Sequence, residues 1–384
     1  MGPDQSWKEK PPKVTDQVMT DTAHAIGEHV RKHNLKEIDV VFHGGEPFMA
    51  RSDNDNKLLT MVTYIRMIRR AVGTSCQVNA TVQTNGTLLT EANIRQMEAE
   101  HISIGVSLDG GNSVLNRLRV YIGGKPAFKN TVRGIKLLAA RPKLADGFHV
   151  FAGLLCTIDV NTNPEEVYES LKQFNSPMVN FLIPHANHDS PPQVKISWWK
   201  KLVQEWNKLS GSNPDNVPER VTPLGDWLCK LFDCWTSDST GPNIPLFESM
   251  IIVNRMGYST SDEIGLSPFG AVVVETDGSI ELDDDLKSAF ENAPYTGLNV
   301  ATASFDEVLL HPGIVARQLG KEGVPTECGN CIFNEKCGGG NYAHRYKKGS
   351  SDEDWFDNPS VYCEDLKVIF THISKESERE FKRL

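Results

Sequence analysis

The chain has 384 residues, 39% of them hydrophobic, with 40 Lys and Arg against 50 Asp and Glu and a formal charge of −10. That balance disfavours a general nucleic-acid binder, and without a run of about eighteen apolar residues no helical membrane span is expected. No apolar leader opens the chain and only eight cysteines occur, so the expected setting is the reducing cytoplasm.

From residue 13 to about 184, strand-like apolar runs alternate with amphipathic ones. Helices are predicted near 15–33, 56–72, 90–99, 127–140 and 164–174. Strands are predicted at IDVVFH (38–43), QVNATVQT (77–84), ISIGVSL (102–108), FHVFAGLLCTI (148–158) and MVNFLIP (178–184). Such alternation implies right-handed crossovers and a parallel sheet, doubly wound or curled into a barrel. The near-continuous apolar strands fit burial on both faces. A Trp-rich zone, 190–262, reads as a helical connector through SWWKKLVQEW and DWLCKLFDCW. From 263 the chain changes character: AVVVETDGSIEL reads as a hairpin turning at Asp277 and Gly278, and Asp283, Asp284 and Asp285 as a solvated turn. The expected division is 1–189, 190–262 and 263–384.

In parallel sheets ligands sit at the C-terminal strand ends. Here those ends read His43-Gly44-Gly45-Glu46-Pro47, Thr84-Asn85-Gly86 and Ser107-Leu108-Asp109-Gly110. The glycines let backbone approach a ligand, while Glu46, Asn85 and Asp109 offer acceptors for an ammonium or hydroxyl group. His43 either touches a cofactor or packs at its strand end. His185 and His188, after the last strand, either line a cleft or belong to a polar loop.

Cys328, Cys331 and Cys337, then Gly338, Gly339, Gly340 and a distant Cys363, have ligand spacing. Four thiolates so placed close around a tetrahedral ion or an iron–sulfur cube. The alternatives are a disulfide pair, disfavoured in a reducing compartment, or four unrelated buried thiols. His344 and Arg345 lie beside the glycine run. Cys76 and Cys156 fall in strands and read as core, and Cys229 and Cys234 as packed thiols of a helix. Trp198, Trp199 and Trp206 read as a packing face.

HGGEP after one strand, TNGTLL after the next and SLDG after the third resemble the core of radical S-adenosylmethionine (SAM) enzymes that mature peptides. CGNCIFNEKCGGG with NPSVYC resembles their SPASM extension. The wording of VVFHGGEP, VETDGSIELDDDLK and CGGGNYAHRY is most similar to FxsB-type maturases. The resemblance implies a partial parallel (β/α)6 barrel with a C-terminal cluster-binding extension. It places the SAM amino group at Gly44, Gly45 and Glu46, with Asn85, Ser107 and Asp109 lining the rest of that pocket and Arg119 facing SAM or substrate. At Cys328, Cys331, Cys337 and Cys363 it implies a [4Fe-4S] cluster, with zinc as the alternative.

Two departures qualify that resemblance. The family carries CxxxCxxC just after its first strand, whereas no cysteine here precedes Cys76. GPDQSWKEKPP resembles the segment directly downstream of that motif, so the first strand is expected to be missing and the strand at 38–43 to form an exposed apolar edge. A fragment, a misplaced start codon or a decayed gene would each account for this. In the extension, the residue four after Cys337 is Asn341 where a second cluster takes a cysteine, and DGSIELDDDL also lacks one. The implied activity is cleavage of SAM to a 5′-deoxyadenosyl radical, followed by hydrogen abstraction and crosslink formation in a precursor peptide. An electron donor such as a flavodoxin or ferredoxin would serve it. The rival readings are a catalytically inactive relative acting as a peptide- or partner-binding scaffold with one structural site, and a zinc-stabilised scaffold.

Overall fold

A computed structural model describes residues 2–53, 55–192, 222–261, 263–349 and 355–381. Trp198, Trp199 and Trp206 lie outside them. Helix α1 (Asp16–His33) starts where the Thr15 side chain accepts the Val18 amide and ends at Asn34, in the left-handed conformation at φ 49°. Asn bears that conformation well. Strands β1 (Glu37–Phe42), β2 (Gln77–Thr84), β3 (Ile102–Ser107), β4 (Phe151–Thr157) and β5 (Val179–Leu182) then form one sheet in chain order, each neighbouring pair parallel. Helices α2 (Thr60–Val72), α3 (Glu91–Ala99), α4 (Phe128–Ala139) and α5 (Pro164–Lys172) make the crossovers. A doubly wound sheet would reverse its strand order at a switch point. Here the order never reverses, and right-handed crossovers keep the helices on one face, giving a curled half-barrel. The parallel partial barrel expected from sequence is the observed fold.

The two faces differ sharply. Ala80, Val82, Ile104, Val106, Leu154, Cys156, Val179 and Phe181 are buried in one core with the surrounding helices. The alternate positions Asn79, Thr81, Gln83, Ser107, Thr157 and Asn180 are only half-buried and give the concave face a polar floor. A Cβ at Gly105 would stand 2.3 Å from Gln83 Oε1. Glycine there leaves room for Gln83, whose Nε2 donates to Ser107 Oγ at 2.9 Å.

β1 is the outer strand of this sheet, and only one of its faces is apolar. Ile38 and Val40 pack with α1 and α2, while Glu37, Asp39 and Val41 are exposed. Asn79 donates to Glu37 at 2.6 Å and to Asp39 at 3.0 Å. The edge expected to be apolar is therefore mostly polar along the groove.

Helices α6 (Pro223–Ser237), α7 (Pro245–Met256) and the C-terminal α8 (Cys363–Phe381) extend the same core through Trp227, Leu231, Phe247, Ile369 and Phe370. α6 contains the predicted DWLCKLFDCW helix, and Cys229 and Cys234 pack against that core. A small antiparallel sheet of β6 (Val273–Val274), β7 (Ser279–Glu281) and β8 (Tyr295–Asn299) follows, with its own apolar cluster around Ile280, Leu286 and Val308. Its first hairpin turns at Asp277 and Gly278, as predicted, with Gly278 at φ +81°. Among the described residues no helix is long and apolar enough to cross a membrane.

Candidate functional site

The C-terminal ends of β1, β2 and β3 meet around the carboxylate of Glu46. Its Oε1 accepts from Thr84 Oγ1 at 2.7 Å and from the Phe48 amide at 3.2 Å, and its Oε2 accepts from the Asn85 amide at 3.1 Å. Glu46 thus ties the end of β1 to that of β2. Gly44 and Gly45, at φ +84° and +42°, have nothing within 4 Å of the Cβ each lacks. The backbone is held in a conformation that favours glycine, and the space above it is open. The Asn85 side chain caps its own turn by accepting the Thr87 amide at 2.9 Å. Asp109 is fully engaged: Arg119 donates to its two oxygens at 2.8 and 2.7 Å, and the Thr157 amide donates at 3.1 Å. Gly44, Gly45, Glu46, Asn85 and Ser107 therefore share one strand-end rim, while Asp109 fixes Arg119 and joins β3 to β4.

Sequence reasoning missed what closes this rim. Asp283, Asp284 and Asp285 do not form a solvated turn. Asp283 pairs with the nearly buried Arg317 at 2.7 Å, Asp284 with His43 Nδ1 at 2.9 Å, and Asp285 accepts from Asn341 Nδ2 at 2.7 Å. Just beyond, the Ser288 carbonyl accepts from Asn187 Nδ2 at 2.9 Å. The segment therefore spans the mouth from the end of β1 to the loop after β5. His185 Nε2 stands 3.7 Å from Asp285, whereas His188 reaches the Pro359 carbonyl at 2.8 Å and is a structural tie.

Below the turn, Lys287 reaches Glu275 at 2.6 Å, Asp284 at 2.8 Å and Glu281 at 3.0 Å, and Lys10 also pairs with Glu281. Burial opposes the Lys287 charge, but the hydrogen bonds to Asp284 and Glu275 outweigh it and raise its pKa. Burial also pushes Asp284 up, yet His43 and Lys287 hold it below the usual carboxylate range. The hydrogen bond that His43 donates to Asp284 raises its pKa above 6.5 despite burial. This imidazole–carboxylate couple at the mouth can hold or pass a proton.

Its contribution to stability has a definite pH window. The raised His43 pKa gives stability that is full below about 6.5 and lost as pH climbs through the folded value. The lowered Asp284 pKa gives stability lost only in acid, below about 4. The melting-temperature deficit of His43→Gln is thus expected to be roughly 2 °C near pH 5.5 and to vanish by about pH 9. A deficit that grows with pH would refute the ion pair.

The four cysteines come together at a second place. Cys328, Cys331, Cys337 and Cys363 line one pocket with Phe333, Gly339 and Lys367. All four are free thiols, so neither a disulfide nor four scattered thiols describes them. Burial raises the pKa of Cys328 and Cys363 and pushes Cys337 up to about 12. No three of these sulfurs lie within 4.8 Å of one another. Four thiolates on one zinc ion, at Zn–S of about 2.3 Å, stand only about 3.8 Å apart.

The glycine run shapes one wall of this pocket. Gly338, Gly339 and Gly340 all have positive φ, at +62°, +84° and +72°. Arg345, buried beneath them, donates to the carbonyls of Gly338 at 2.5 Å and Gly340 at 3.0 Å. Its guanidinium is a fixed positive charge beside the thiols. His344 is buried against Tyr362, and burial lowers its pKa to about 3, so it is neutral. Cys76 and Cys156 are core residues away from this pocket.

Fold and rim together define a parallel half-barrel with an open glycine cradle at its strand ends and a four-cysteine pocket in the module that closes its mouth. No family model matches the chain. The serine-type anaerobic sulfatase-maturating enzyme of Bacteroides thetaiotaomicron is 22% identical over 382 residues, covering 96% of this chain and 83% of that enzyme. The cysteine-type enzyme of Clostridium perfringens is 23% identical over 355 residues, covering 90% and 85%. Native anSMEcpe, solved with bound AdoMet and the Kp18Cys peptide, superposes with a TM-score of 0.71 at 18% identity, over 97% of this chain and 91% of that one. The chain is similar in sequence to anaerobic sulfatase-maturating enzymes and shares the fold of anSMEcpe.

Proposed function

We propose that this chain is the SAM-binding and auxiliary-cluster-bearing body of a radical SAM/SPASM-type maturase of a ribosomally made peptide, FxsB-type in its sequence wording. The observation that carries this reading is the open cradle at Gly44 and Gly45, set on the Glu46 clamp at the strand ends. In the proposal the cradle and Glu46 receive the amino-acid end of SAM, Asn85 and Ser107 line its flank, and Asp109 orients Arg119 toward the groove. The peptide lies along the polar floor of Asn79, Thr81, Gln83 and Thr157, under the turn at Asp284. The AdoMet and peptide in anSMEcpe support such an arrangement.

At the four cysteines the proposed group is one [4Fe-4S] cluster, on the strength of the SPASM-like wording of CGNCIFNEKCGGG and NPSVYC, with zinc as the alternative that four thiolates satisfy equally well. Bound there, a cluster ligated by all four thiolates supplies structure or electron transfer, having no open iron. Arg345 and Lys367 offset the charge of the thiolates that must form. The second auxiliary site of the family is taken to be absent. Asn341 spends its side chain on Asp285 and on the Ala343 amide at 2.9 Å, and Arg317 fills the space beside Asp283.

The 384 residues contain no CxxxCxxC, so no SAM-cleaving step is assigned to this chain's own residues. The second reading is a peptide- or partner-binding scaffold with one structural cluster. Anaerobic reconstitution with iron and sulfide, with iron counted and 5′-deoxyadenosine assayed under reductant, tests the proposal. About four irons per chain with measurable SAM binding is the expected result, and 5′-deoxyadenosine forming only when a flavodoxin- or ferredoxin-type donor and the missing ligands are supplied would select the maturase. Binding of peptide without SAM would select the scaffold. About eight irons with cleavage by this chain alone would refute the ligand assignment.

A further inference from the structure

Helix α1 and the C-terminal module meet at a cluster that neither the cradle nor the cysteine pocket uses. His29 and His33 stand one turn apart on one face of α1, their rings 4.5 Å between centroids. Facing them is Asp306, on a short turn (Phe305–Val308) whose start is fixed by a reciprocal cap between Ser304 and Glu307. His29 Nδ1 lies 2.9 Å and His33 Nε2 2.7 Å from the same oxygen, Asp306 Oδ1. The other oxygen pairs with Lys32. Two imidazole nitrogens and one carboxylate oxygen thus converge within 4.8 Å of one another. Ligand atoms bound at about 2.0–2.2 Å to one tetrahedral zinc-like ion stand roughly 3.3–3.6 Å apart, so an entering ion exchanges the two hydrogen bonds to Asp306 Oδ1 for metal bonds as the carboxylate draws back by about half an ångström, and three protein ligands leave a fourth position for water.

We propose that His29, His33 and Asp306 form a surface site for a divalent, zinc-like cation that clamps the first helix of the half-barrel to the C-terminal module. Asp306 Oδ1 and the two facing ring nitrogens are its ligands, and any proton on those nitrogens leaves to solvent when the ion enters. Lys32 keeps Oδ2 and orients the carboxylate, but its charge weakens the site. Lys32→Gln therefore tightens binding several-fold.

The test uses the cluster-loaded protein, dialysed to equilibrium against buffered micromolar Zn2+, with zinc and iron counted together. Wild type is expected to hold about one zinc per chain beyond its iron. His33→Ala and Asp306→Asn should weaken that binding about tenfold or more. His101→Ala should not, because His101 pairs with Asp146 at 2.7 Å and packs on Phe148, away from α1. As a check independent of the variants' folding, zinc should protect His29 and His33 of the wild type from diethylpyrocarbonate, read by peptide mass spectrometry. Equal zinc binding in His33→Ala, or no protection of the two histidines in wild type, overturns the proposal.

Discussion

Cys337→Ala is expected to take the reconstituted chain from about four irons to fewer than one and to lower its melting temperature by roughly 10 °C. Cys337 packs against the main core, burial raises its pKa, and its backbone is a junction. Its carbonyl accepts from the Gly265 amide and the Gly340 amide, both at 3.0 Å. A cluster on Cys328, Cys331, Cys337 and Cys363 would cross-link the 328–340 loop to the first residue of α8, whose Ile369 and Phe370 lie in the main core. Losing one ligand opens one iron to solvent and unpins the loop from that helix. The large fall in stability is the expected result of the proposed cluster, whose binding would be coupled to the folding of this loop. Cys156→Ala is the control: that thiol is buried in β4 and should cost about 1 kcal/mol of packing with iron unchanged. Full iron in Cys337→Ala, or iron lost from Cys156→Ala, would mean that the thiol pocket is not the cluster site.

Features fixed by neighbours in the chain are legible in the sequence, and features fixed by distant partners are not. The barrel was legible because each strand is a local run buried by its own neighbours. The predicted 77–84 is the observed β2, and α1 begins within a residue of its predicted start. The cradle was legible too, since Gly44, Gly45 and Glu46 are adjacent in the chain. β8 was not: YTGLN has a mid-strand glycine and no apolar alternation, and its pairing with β7 is set by the hairpin before it. The acidic run was misread because its partners His43, Arg317 and Asn341 lie far away in sequence. A run of carboxylates looks solvated unless those partners are known. Asp109 shows the same limit at shorter range, since only the structure reveals that Arg119 and the Thr157 amide occupy it.

Gly338→Ala and Gly45→Ala begin from similar left-handed backbones and should part company completely. Each substitution carries about 1–2 kcal/mol of strain for placing a Cβ on that conformation. At Gly338 the new atom would also lie 1.8 Å from the Gly265 carbonyl oxygen. Backbone opposes it, so no side-chain rotation relieves the overlap. The strands of chain at 265 and 338 must separate, and the Gly265 amide must release Cys337. A total of about 3–5 kcal/mol follows, with melting temperature and iron content falling together. At Gly45 the Cβ meets nothing within 4 Å, so the melting temperature should drop only a few degrees and iron should stay. What the added methyl does meet is the space proposed for SAM, and SAM affinity measured by calorimetry should fall tenfold or more, by about 1.4 kcal/mol at least. A Gly45→Ala chain that binds SAM as well as wild type would leave the cradle as a turn and nothing else. One that loses SAM while keeping its iron would separate the two sites physically, the cradle answering to ligand and the glycine run to the fold around the thiols.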